Sequence, residues 1–84
     1  MKQERYLAQM IDKNGHLKDF YRFSCKRAST VRENIEKMAS AENSGMMSLY
    51  RSNWMKMGID KCRVFEVNNG RYSTEPIMEF KLCL

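Results

Sequence analysis

The spacing of apolar residues changes twice along this chain. It alternates up to about residue 25, follows a helical repeat from about residue 30 to residue 57, and alternates again from residue 62. Alternation puts successive side chains on opposite faces of a sheet, whereas a repeat of three and four residues builds one face of a helix. Arg5 to Ile11 therefore predicts a strand, Asp12-Lys13-Asn14-Gly15 a turn, and His16 to Cys25 the returning strand. Asn14-Gly15 is a strong hairpin signal, because both residues tolerate positive φ. A loop of two or four residues sets Tyr6, Ala8 and Met10 with Leu17, Tyr21 and Phe23. It sets Arg5, Leu7, Gln9 and Ile11 with Lys18, Phe20 and Arg22. A three-residue loop exchanges the faces, since one residue of slip moves every side chain across the sheet. The first set is the better core face, although Asp19 interrupts it.

The helical stretch opens on a capping-box pattern, Thr30 with Glu33 three residues later. Val31, Ile35, Met38 and Ala39 make its apolar stripe, and Glu33 and Lys37 pair in the favoured order. Asn43-Ser44-Gly45 predicts an end near Glu42. Met46, Leu49, Tyr50, Asn53, Trp54 and Met57 form a second stripe, apolar except at Asn53. Gly58 then supplies a left-handed residue, and Ile59 the apolar contact that follows it. Cys62 to Val67 predicts a strand, Asn68-Asn69-Gly70 a turn, and Arg71 onward a return in which Met78, Phe80, Leu82 and Leu84 alternate. Pro76 cannot donate to a ladder and belongs at an edge or a bulge. The expected fold is α+β in two layers. An antiparallel sheet of two hairpins carries one or two helices on one face, in the order ββα(α)ββ.

Composition narrows the setting. With 84 residues, 43% of them hydrophobic and 30% charged, residues 1–84 are expected to form one small globular domain. There is no run of 18 apolar residues, and Met1-Lys2-Gln3-Glu4-Arg5 is polar, so neither a membrane span nor a signal peptide is expected. Cys25, Cys62 and Cys83 are odd in number and lack C-x-x-C spacing. They read as free thiols of a cytoplasmic protein, with a cysteine-linked dimer as the alternative to that reading.

Charge changes the picture more. The net charge of +5 falls wholly in residues 1–32, which hold eight basic and three acidic side chains; the remainder balances seven against seven. Such asymmetry points to an anionic partner for the first part of the chain.

The sequence offers little for catalysis. His16 is the single histidine and flanks a turn, so no Ser/His/Asp or Cys/His arrangement is indicated. No His/Cys/Asp cluster has metal-ligand spacing, and the four glycines mark breaks, not a phosphate loop. No enzyme activity, cofactor or metal is expected. Two surfaces are candidates instead. Lys26, Arg27 and Arg32 gather at the start of the first helix, where free amides favour anions and the dipole disfavours cations. Lys18, Phe20, Arg22, Ser24 and Lys26 alternate along one side of the second strand beside Arg5 and Leu7. Basic groups interleaved with an aromatic ring suit single-stranded nucleic acid. The competing expectation is a protein-binding or self-associating surface built from Leu7, Ile11, Phe20, Met47 and Met55.

The chain lacks the aromatic motif of RRM domains, the G-x-x-G loop of KH domains and a helix-turn-helix signature. Its size, basic character and lack of catalytic groups are similar to those of small accessory proteins of phages and mobile elements. Those include inhibitors of host defence complexes, and the likeness is one of class alone. The expected function is a non-catalytic module that binds nucleic acid or a nucleoprotein; the alternative is a protein-interaction module or inhibitor.

Overall fold

The computed structural model describes residues 3–40 and 47–84. Its elements are β1 (Tyr6–Asp12), β2 (Leu17–Phe23), α1 (Ala28–Ala39), α2 (Met47–Met57), β3 (Ile59–Asn68), β4 (Arg71–Tyr72) and β5 (Met78–Lys81). The fold is α+β, and the expected final return is split in two. The sheet runs β2-β1-β3, with β4 and β5 both pairing antiparallel to β3. Pro76 sits in the gap between β4 and β5. There the ladder leaves off at Ser73, whose amide donates to the Glu66 carbonyl, and resumes at Ile77, whose amide donates to Val64. Three residues, 74–76, thus loop out between these two bonds, and the missing proline donor is never called for.

The first hairpin combines two of the expected loops. Asp12 and His16 close a three-residue loop, with Gly15 left-handed at φ 82°. The Asp12 carboxylate accepts from the Asn14 and His16 amides at 2.9 and 2.8 Å. By itself that loop exchanges the faces, and it does so for Leu17, which opposes Ile11. A bulge at Lys18 then restores the register, so that Tyr21 opposes Ala8 and Phe23 opposes Tyr6. Leu17 therefore leaves the expected core face and is 52% exposed.

One sheet face is covered by both helices. Val31, Ile35, Met38 and Ala39 of α1 and Trp54 of α2 bury against Ala8, Met10, Cys62, Val64, Phe80 and Leu82. Trp54 is fully buried; its indole donates to the Tyr21 hydroxyl at 3.2 Å, and that hydroxyl donates to Asp19 at 2.8 Å. Asp19, the one polar interruption of this face, is thus the terminal acceptor of a chain that ties α2 to the sheet. Tyr50 joins the group, its ring edge-on to Tyr21 at 5.8 Å. This aromatic trio fixes the rotation of α2 and turns Leu49 outward, 57% exposed, although its spacing fits the stripe. Gly58 ends α2 as expected, at φ 72°.

Two helix boundaries differ from expectation. α1 starts at Ala28, with extended Arg27 in the cap position and no side-chain cap. Thr30 already lies in the first turn, its amide donating to the Arg27 carbonyl at 3.2 Å. A residue with helical backbone there cannot serve as the extended N-cap, so the capping box does not form. The helix also ends earlier, at Ala39, with Ser40 extended. The break residues Asn43, Ser44 and Gly45, together with Glu42 and Met46, lie outside the described residues, as does the side chain of Met47.

Candidate nucleic-acid interface

The sheet face away from the helices carries the candidate site. Alternation assigns its side chains directly. With Cys62, Val64 and Phe80 turned into the helix-covered core, Lys61, Arg63, Phe65, Glu79 and Lys81 point the other way. The register sorts the face into three rows across the strands. Arg22, Leu7 and Phe65 form the first; Phe20, Gln9, Arg63 and Glu79 the second; Leu17, Ile11, Lys61 and Lys81 the third. From strand spacing and rise, the rings of Phe20 and Phe65 project from positions about 12 Å apart.

Phe20 is 49% exposed, and the guanidinium of Arg22 lies 5.6 Å from its ring centroid. Arg22 also pairs with Glu4 at 3.6 Å, and Lys18 with Asp12 at 3.7 Å. Arg63 donates to Glu79 at 2.9 Å, and Lys61 stands 3.6 Å from the other oxygen of the same carboxylate. Leu7 and Ile11 belong to this face, yet they are only 9% and 2% exposed. Their place on the central strand, flanked on both sides by long neighbours such as Arg22, Phe65 and Lys61, removes them from solvent.

The expected site residues thus divide. Phe20 and Arg22 share the open face, while Lys18 is the bulge residue, exposed near the hairpin end and paired with Asp12. Lys26 and Arg27 are exposed in the connector beyond β2, where the strand has ended and its alternation no longer orients them. Arg32 lies in the helix layer: its guanidinium stands 4.9 Å from the centroid of the Phe80 ring, and it pairs with Glu36 at 3.5 Å. A cation engaged on an aromatic face and a carboxylate is already accounted for by packing. Of the apolar candidates, Phe20 and Met55 are exposed. Phe65, Lys61, Arg63 and Lys81 were missing from the expected set. The pattern Lys61-x-Arg63-x-Phe65 is the same basic-aromatic alternation as Lys18-x-Phe20-x-Arg22, and could have been read in the same way.

Other groups have local explanations. Asp12 is held below the usual carboxylate range chiefly by the His16 amide and further by that of Asn14, against the opposing effect of desolvation. Burial pushes the Cys62 thiol up to about 12, which leaves it protonated and unreactive near neutral pH. Cys25 and Cys83 are also free, and among the described residues no group of His, Cys, Asp and Glu could hold a metal ion. A cleft of about 600 Å³ opens between residues 3–6 and 66–70 and contains neither cysteine, histidine nor serine. No described helix is long and apolar enough to cross a membrane. No protein-family model, curated protein or solved structure matches the chain.

Proposed function

We propose that this protein is a non-catalytic binding module for single-stranded nucleic acid, free or within a nucleoprotein, and that the open sheet face is its contact surface. The observation that carries the reading is the half-exposed Phe20 beside Arg22, set on a helix-free face that also holds Phe65, Lys61, Arg63 and Lys81. Two rings offer stacking surfaces for bases, and the cations between and around them follow the phosphates. Lys18 and the exposed pair Lys26 and Arg27 extend the basic track from the β2 side. Arg32, engaged with Phe80 and Glu36, contributes to packing.

A second reading has its own observation. Leu17, Phe20 and Ile77 are large apolar side chains left exposed, which suits a protein partner or a second copy, as in an inhibitor. Salt separates the two. Phosphate contacts give an affinity that falls steeply with ionic strength, whereas apolar contact does not. The test is a fluorescence-anisotropy titration of labelled single-stranded DNA and RNA, from low to physiological salt. Wild type is expected to bind, and Phe20→Ala with Arg22→Ala to bind more weakly with a smaller salt slope. Absence of binding by wild type at low salt, or equal binding by the double variant, overturns the nucleic-acid reading.

A further inference from the structure

The third row of the open face has a feature that folding alone does not favour. Lys61 and Lys81 stand directly opposite one another in the β3–β5 ladder. Like charges so placed oppose strand pairing. Arg63 lies one row away, and Glu79 stands opposite Arg63. The Glu79 carboxylate divides itself between two cations: Oε2 accepts from Arg63 at 2.9 Å, and Oε1 faces the Lys61 ammonium at 3.6 Å. Lys81 has no ion pair among the described residues. Two cations therefore share one carboxylate and a third stands unpaired across from Lys61, in the part of the chain whose charges balance overall.

We infer that Lys61, Arg63 and Lys81 form a phosphate-binding corner of the sheet, in which Glu79 is the resident internal anion and gives up at least one cation when a nucleic-acid phosphate arrives. The inference rests on the sheet-face reading above for the identity of the ligand. The geometry is that of anion recognition. Two oxygens of one planar group are held by a guanidinium and an ammonium, as two non-bridging oxygens of a phosphodiester would be. Glu79 and its partners are partly solvent-accessible, so exchanging one anion for another requires no rearrangement of the core. The hydrogen bond from Arg63, more than any other influence, holds the Glu79 carboxyl below its ordinary range, so it is ionised whenever the site is at neutral pH. The surplus of cations leaves the corner net positive even with Glu79 in place. A phosphate brought against Phe20 or Phe65 by stacking has this corner within the span of the same face.

Two measurements test this on wild type, Glu79→Gln and the double variant Lys61→Ala with Lys81→Ala. The first is anisotropy with a labelled oligothymidylate. Glu79→Gln is expected to bind about two- to fivefold more tightly, the range one exposed ion pair covers. The double variant is expected to bind more weakly, with the salt slope reduced by about 0.7 for each lost phosphate contact. The second compares melting midpoints in sodium phosphate and sodium chloride at equal ionic strength. General salting effects are shared by all variants, so the expected result is a phosphate-specific rise that is larger in Glu79→Gln than in wild type and absent in the double variant. If wild type binds the oligonucleotide and both variants match it in both assays, the corner is overturned and the sheet-face reading stands. If wild type does not bind, yet phosphate still raises the midpoint of wild type and not of the double variant, the sheet-face reading falls and the corner stands. Should Glu79→Gln melt too early to assay, an undiminished phosphate response in the double variant overturns the proposal by itself.

Discussion

The two faces of one sheet are built from alternate residues of the same strands, and they obey different rules. On the helix-covered face, Ala8, Met10, Cys62, Val64 and Phe80 are buried, and the polar atoms that enter are paired in sequence from Trp54 through Tyr21 to Asp19. On the open face Arg22, Lys61 and Arg63 pair with partly exposed carboxylates, Lys81 has no ion pair among the described residues, and Phe20 stays half in solvent. The first arrangement is costly to disturb, because each group has a single place to go. The second can exchange partners at little cost, since exposed ion pairs each contribute at most about 1 kcal/mol. The first face holds the fold through both helices; the second buries Leu7 and Ile11 beneath charged and aromatic side chains that stay within reach of solvent.

The most severe way to probe this contrast is at Trp54. Trp54→Ala is expected to lose about 3–5 kcal/mol, most of the stability of a domain this small. Its native fluorescence should be blue-shifted and move red in urea. Fully exposed emission in the native state would remove α2 from the sheet. Tyr21→Phe strips the link between Trp54 and Asp19 while keeping the ring, and should cost about 1–2 kcal/mol in the same melt. No loss would mean that the polar chain contributes nothing beyond packing.

Alkaline titration sharpens the comparison in another way. Burial pushes the Tyr21 hydroxyl from 10.0 to about 12, and the Cys62 thiol from 9.0 to about 12. Both are therefore protonated more firmly when folded. Their contribution is complete below pH 9.0, and is lost as pH rises from there for Cys62, and from 10.0 for Tyr21, toward about 12. Melting midpoints should be level from neutral pH to pH 9 and fall beyond it, and Tyr21→Phe should lessen the fall above pH 10. In a thiol-labelling time course, exposed Cys83 should react first and Cys62 only with unfolding. Rapid labelling of all three thiols in the native state would contradict the burial of Cys62.

On the open face the expected effects on stability are small. Phe20→Ala with Arg22→Ala should lower the unfolding free energy from a urea melt by about 0.5–1 kcal/mol at most, against a clear loss in oligonucleotide binding. A loss of stability as large as that of Trp54→Ala would show the Phe20 and Arg22 side chains to be part of the core. Smallest of all is Thr30→Ala. A true N-cap loses about 1 kcal/mol on such a change, but Thr30 lies inside the first turn. Alanine there should stay within about 0.5 kcal/mol of wild type, with no loss.

Those last two positions also mark what the sequence could and could not convey. Period-2 alternation located β1, β2 and β3 and sorted most side chains to their faces, because burial of one face demands it. It failed at Leu17, since a single bulge at Lys18 leaves no compositional trace. Thr30 and Glu33 matched a capping pattern, but Ala28 and Ser29 extend the helix backward and override it. Leu49 matched the stripe, and only the packing of Tyr21, Tyr50 and Trp54 decides against it. On the candidate surface, Phe20 and Arg22 were legible from one strand. Their continuation into Lys61, Arg63 and Lys81 depends on which strands lie side by side, and charge counted along the chain hides it.

The position of β1 between β2 and β3 has a consequence for how the chain reaches this structure. Its pairing with β2 closes across residues 13–16, whereas its pairing with β3 must bring together Asp12 and Ile59 across residues 13–58. The second closure costs about 2 kcal/mol more in chain entropy. The hairpin can therefore form early and on its own, while the long closure, which needs the docked helices to repay it, sets the folding rate. During synthesis β1 waits with one edge unpaired until residue 59 and beyond have emerged. In that interval the unpaired edge can join other chains as readily as its own, so crowded expression is expected to trap this protein through β1 before β3 arrives.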